Sequence, residues 1–112
     1  MKTSFQGIGE MIATFEAGES VAVGSLVKVS ANGKVDVCAD TDPFCGVVVN
    51  IRGGYAAVQI GGYAQIPCTG GVAVGYQTLC AGADGKAKTG ETGRQLLVVD
   101  YDSTAAVCGV IL

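Results

Sequence analysis

Short apolar runs, separated by glycine pairs and polar turns, fill the chain. The densest stretch is Phe44 to Pro67, FCGVVVNIRGGYAAVQIGGYAQIP. Val47–Ile51 is β-branched except at Asn50, Ala56–Ile60 follows one Gly-Gly pair, and Tyr63–Ile66 follows another. Gly53-Gly54-Tyr55-Ala56 and Gly61-Gly62-Tyr63-Ala64 are the same four letters twice. Glycine readily supplies the positive φ of tight hairpin turns. The pattern predicts a meander of three strands, ended by Pro67, which has no N–H for a ladder. Such a meander needs a second layer or a closed barrel to be stable.

The flanking segments continue the pattern. Phe5, Ile8, Ile12 and Phe15 have helix-like spacing, but Gly7 and Gly9 interrupt it, and Met11–Phe15 reads as a strand. An extended N-terminal arm leading into a first strand is expected over residues 1–17. Leu26–Ser30 and Lys34–Cys38 flank Asn32-Gly33, which predicts a type I′ hairpin. Asp40-Thr41-Asp42-Pro43 reads as a polar loop.

The second half repeats the first. Val72-Ala73-Val74-Gly75 copies Val21-Ala22-Val23-Gly24, and Asp84-Gly85-Lys86 matches Asn32-Gly33-Lys34. Cys108-Gly109-Val110 copies Cys45-Gly46-Val47, and Gln95–Tyr101 reads as an additional strand. Two quasi-repeats, 18–67 and 68–112, form one β domain in this reading. Each would expose an apolar face that the other covers. The expected fold is all-β, a small barrel or sandwich of two similar units with the arm in front. Asn32, Gly33, Gly53, Gly54, Gly61, Gly62, Asp84 and Gly85 are the expected turn formers. The apolar end Cys108–Leu112 is expected to be a paired strand.

Composition narrows the function. Charged residues make up 15%, against about 25% in an average domain. The net charge is −3 and the seven basic residues are scattered, which argues against nucleic-acid binding through phosphates. No run approaches the roughly 20 apolar residues of a membrane span. The opening MKTSFQGIGEMIA has no continuous apolar core and does not read as a signal peptide. The five cysteines are odd in number and lack CxxC spacing, so they read as small buried hydrophobes rather than a disulfide framework.

No catalytic constellation emerges. Without histidine there is no Ser-His or Cys-His pair. The acids, Asp40–Asp42 and Asp100–Asp102 among them, read as turn and solubility residues, and no EF-hand-like ligand string occurs. The expectation is a non-enzyme without metal or cofactor. Two binding readings remain open beside it. Lys34 and Lys86 follow hairpin glycines, as the modified lysine of lipoyl or biotinyl carrier domains sits at a hairpin tip. Tyr55 and Tyr63, placed alike after Gly-Gly, suggest a stacking platform for a glycan or host-surface ligand.

The order of Gly24, Val27, Asn32, Gly33, Gly46–Val48, Val58–Gly62, Pro67, Gly75, Leu79, Asp84, Gly85, Gly109 and Val110 resembles the head-decoration, or capsid cement, proteins of tailed bacteriophages. The resemblance covers about residues 18–112. It implies a structural virion protein on the capsid exterior, made in the host bacterial cytoplasm. Its partner would be the major capsid protein, and its own state on the lattice a homotrimer or other homo-oligomer. The contact residues assigned on this basis are Phe5, Ile8, Met11, Ile12 and Phe15.

Overall fold

A computed structural model describes residues 10–69 and 72–112. Phe5 and Ile8 lie outside the described residues. All regular structure among those described is β-strand: β1 Met11–Ala17, β2 Leu26–Ala31, β3 Lys34–Val37, β4 Gly46–Arg52 and β5 Tyr55–Gly61. These are followed by β6 Tyr63–Pro67, β7 Gly75–Ala81, β8 Ala87–Thr89, β9 Arg94–Asp102 and β10 Val107–Ile111. The all-β, two-unit expectation is met. The first five strands close into a barrel in the order β1-β3-β2-β4-β5, and the last five form a sheet in the order β6-β10-β9-β7-β8.

The two sheets have one topology. β1 runs antiparallel to β5 as β6 does to β10, and the β2–β3 hairpin corresponds to β7–β8. Barrel closure is also shared. Ala17 pairs in parallel with Val35, and Gly18 donates its N–H to the Val35 carbonyl at 2.9 Å. In the second unit Cys68 bridges Ala87 in parallel, and Thr69 donates to the Ala87 carbonyl at 2.9 Å. The second sheet thus completes the same circuit through a single bridge. One irregularity matches too, with Val49 skipped in β4 and Val99 skipped in β9. The registers differ where β2–β4 forms two pairs and β7–β9 five.

This architecture corrects three expectations. β6 does not extend the β4–β5 hairpin but crosses to the second unit and pairs with β10, so the units divide at Gly62 rather than after Pro67. β1 is an integral strand of the first barrel rather than part of a separate arm segment. Gln95–Tyr101 is no addition: it lies in β9, the counterpart of β4. The repeated Cys-Gly-Val letters therefore fall on strands that are not equivalent, β4 and β10.

The turns follow the glycines with two changes. Gly53 and Gly54 both have positive φ, as a type I′ hairpin requires, and Gly62 and Gly85 do too. At Asn32-Gly33 only Gly33 does, and the register skips Ser30, so the turn is not type I′. Gly61 makes no turn. It ends β5 where an added Cβ would press on the Met11 side chain at 3.0 Å.

Val27, Val35, Val48, Ala56 and Val58 fill the first barrel, with Phe15, Ala17, Val21 and Ile51 packed against them. Their counterparts in the second unit include Leu79, Ala87, Val98, Cys108 and Val110. These belong to a larger cluster that also takes in Leu26, Cys38, Phe44 and Val47 of the first unit. The larger cluster thus spans both units, beside the separate interior of the first barrel, which is how each covers the other. Gln59, the buried polar residue at the crossing, donates its amide to the carbonyls of Gly61 at 3.1 Å and Tyr63 at 2.7 Å. That leaves no unpaired amide at the bend.

Candidate interaction surfaces

The loop between β3 and β4, residues 38–45, clasps the two units together. Thr41 donates its N–H to the Ala81 carbonyl at 2.8 Å, and Ala81 donates to the Asp42 carbonyl at 2.9 Å. The Thr92 hydroxyl donates to the Thr41 carbonyl at 2.7 Å, and the Arg94 guanidinium to the Cys45 carbonyl at 3.1 Å. Thr41 holds a φ of 69°, a left-handed conformation that costs a threonine roughly 1–2 kcal/mol. These four hydrogen bonds keep it there. The sequence marked this segment only as a polar loop. Its length between hairpin and strand was the one visible signal.

The two clasp carboxylates face lysines. Asp42 accepts from Lys28 of β2 at 2.6 Å and from the Ala39 N–H at 2.9 Å. Asp40 accepts from Lys88 of β8 at 2.6 Å. The Lys28 hydrogen bond holds the Asp42 carboxyl below its ordinary 3.8, and the Lys88 hydrogen bond does the same for Asp40. Both lysines are raised by the same bonds. Among the described residues no group of acids and cysteines is arranged to hold a metal ion. Here each clasp acid already has a cation.

A pH dependence follows. A carboxylate whose pKa is depressed on folding stabilises the fold above the unfolded value of about 3.9, and that contribution disappears as pH falls through the folded value. The raised lysines contribute below about 10.4 and lose it above. Wild type should therefore melt higher than an Asp40→Asn/Asp42→Asn variant between about pH 5 and 9. The difference should shrink toward zero below about pH 3. Melting temperatures that differ equally at pH 2.5 and pH 7 would count against the ion pairs. Added salt should narrow the gap at neutral pH, since the groups are solvent-accessible.

The cysteines are all free thiols and sit in apolar surroundings, with four buried and Cys45 half-buried. Burial pushes Cys38 up to about 11 and, with the hydrogen-bonded Cys68 thiol beside it, Cys108 up to about 12. Thiolate, the nucleophilic form, is disfavoured at both positions.

The residues assigned to partner contact separate into two groups. Met11 and Ile12, at the start of β1, are 62% and 51% exposed. Phe15 is half-buried and packs on the core of its own barrel, so it leaves the contact set. The tyrosine platform does not assemble, because Tyr55 and Tyr63 flank opposite ends of β5, and Tyr63 bonds to Asp100 at 3.2 Å. Among the described residues the most exposed aromatic is instead Tyr76, 70% exposed beside a shallow depression with Gln77, Thr78, Thr89 and Glu91. The two hairpin lysines also differ: Lys86 is exposed, whereas Lys34 is half-buried at the start of β3.

No protein-family model matches this chain, and no curated protein matches it in sequence.

Proposed function

We propose that this protein is a structural virion component, a head-decoration protein of a tailed bacteriophage that docks on the assembled capsid through the start of β1 and the arm before it. The observation that carries the reading is the adjacent exposure of Met11 and Ile12 where the arm enters the barrel. Both positions of this strand end face solvent instead of one. Burying a large apolar side chain is worth roughly 1.5–3 kcal/mol. Phe5 and Ile8 lie just upstream in sequence and would extend the same apolar contact. The low charge and the thiols pushed toward their neutral form suit a mechanical role.

The mechanism is linkage. A protein that binds the assembled lattice and not its free subunits stabilises it by about 2.7 kcal/mol per site at a hundredfold excess over Kd. Repetition over a shell makes the sum large. A homo-oligomer, a trimer at a symmetry point, is the form this reading assigns, and light scattering gives its mass directly.

Deletion of residues 1–10 together with Met11→Ser and Ile12→Ser tests the docking segment. The truncated protein keeps every described strand of both units and should fold, with unchanged circular dichroism. It should fail to co-sediment with capsids at concentrations that saturate them with the full chain. Saturation by the truncated protein would overturn the assignment. A second reading, a glycan-binding module, draws on Tyr76 and its polar neighbours. A glycan array without Tyr76-dependent hits removes it.

A further inference from the structure

The shared topology makes Val29 of β2 and Ala81 of β7 equivalent positions. Val29 is paired with Val35, and Ala81 with Ala87. Val35 and Ala87 each use their carbonyl to close the barrel on the far side, accepting from Gly18 and Thr69. In an antiparallel ladder such pairs are the non-hydrogen-bonded ones. The N–H and C=O of Val29 and of Ala81 therefore point away from their hairpin partners, along an open edge.

At Ala81 that edge is filled. The clasp supplies the Thr41 N–H and the Asp42 carbonyl, and Ala81 is 1% exposed. At Val29 it is not. The β2–β4 pairing stops at Val27, whose carbonyl accepts from Cys45, and beyond that point the chain leaves for the clasp. Val29 is 54% exposed, and its backbone groups have no partner among the described residues. One molecule thus shows the same edge occupied and vacant.

Charge says what the vacant edge takes. In the occupied one, Asp40 of the clasp reaches Lys88 on β8, which lies opposite Cys80. The equivalent residue on β3, opposite Lys28, is Asp36. Lys28 makes its ion pair with Asp42, while Asp36 accepts from the neutral Ser30 hydroxyl at 2.5 Å and feels the Lys28 charge opposite only through space. The sign is reversed, so an acidic segment like the chain's own clasp is repelled there.

We propose that the Val29 edge is a docking site for an extended segment of a partner protein. The segment binds by strand addition through the Val29 N–H and C=O and carries a lysine or arginine that meets Asp36. Backbone hydrogen bonds give such contacts their affinity, and the flanking side chains their choice of partner. This surface is distinct from the exposed Met11 and Ile12, and the assignment stands independently of the capsid reading.

The test uses amide-resolved NMR on the full chain, with a capped synthetic peptide copying residues 39–44 with the D40K change, and its unchanged counterpart. In the free protein the Val29 amide should exchange with solvent fast and the Ala81 amide slowly. The D40K peptide should shift the Val29 amide saturably at about millimolar concentration, leaving Ala81 unmoved. The unchanged peptide should bind at least about fivefold more weakly, and Asp36→Lys in the protein should reverse that preference. Equal protection of Val29 and Ala81 in the free protein would overturn the proposal. So would no saturable shift at Val29 up to about 10 mM peptide, roughly the weakest affinity of interest. An unchanged peptide preference in the Asp36→Lys protein would overturn the charge assignment.

Discussion

Phe44→Ala should destabilise the protein by about 3–5 kcal/mol, the range for emptying a buried phenylalanine site. Phe44 is the largest of the fully buried side chains among the described residues, at 1% exposure, and lies within the clasp. It belongs to the cluster that joins the first unit's Leu26, Cys38 and Val47 to the interior of the second. The site lies in the cluster shared by both units, so the cost should lie high in the range. Domains of this size have roughly 5–15 kcal/mol in total, so the variant should lose a large share of its stability. Urea unfolding followed by both circular dichroism and tyrosine fluorescence measures it. The two probes should coincide in one transition for wild type, because the larger buried cluster is shared by both units. A loss below about 1.5 kcal/mol would mean that Phe44 does not bridge the units as described.

Gly46→Ala should be the other severe change, and it should exceed Gly109→Ala. Both glycines sit in the repeated Cys-Gly-Val letters, and neither has positive φ, so the argument is space and not conformation. A Cβ on Gly46 would collide with the backbone carbonyl of Gln59 and with Val58 across the β4–β5 ladder. Backbone cannot retreat there without breaking the Val47–Gln59 pairing and pulling the Gln59 amide off the carbonyls at the crossing. A Cβ on Gly109 would meet the Asp100 carboxylate and the Tyr63 hydroxyl, which are ends of movable side chains. Overpacking typically costs 1–3 kcal/mol and sometimes more. Gly46→Ala belongs at the top of that range and Gly109→Ala near the bottom, in the same denaturation assay. Equal losses would refute the distinction between backbone and side-chain obstruction.

These two sites show how the repeat misled at one point and informed at another. Val-Ala-Val-Gly marks equivalent places, before β2 and before β7, and Gly24 and Gly75 both take positive φ there, 90° and 103°. Cys-Gly-Val marks non-equivalent strands. Its glycines are selected by close approach, Gly46 to a neighbouring strand and Gly109 to side chains, and close approach recurs wherever strands crowd. The true equivalence is carried by spacing and pairing, as in Ala17 with Val35 and Cys68 with Ala87. Letters at those positions need only be small and apolar, so they look unremarkable in the sequence.

The candidate surfaces were legible to a similar degree. Met11 and Ile12 could be named from the apolar arm, and they are exposed. Phe15 could not be separated from them, because alternation along a strand assigns a face but not which face is inside. The clasp and the Val29 edge were invisible. Both depend on where β2 parts from β4, a tertiary event with no local signal.

By itself the sequence determined the secondary-structure class, most strand positions, the turn at Gly53-Gly54 and the existence of two similar units. Those follow from local rules: period-two alternation, β-branched runs and glycine's access to positive φ. Only the tertiary structure decided that β6 crosses at Gly62, that β9 answers β4, and that one open edge is filled while its counterpart is bare. Such choices are made by competition among strands of similar propensity for the same partners. Burial of Phe44 and its neighbours between the two units resolves that competition across distances that no local window of residues contains.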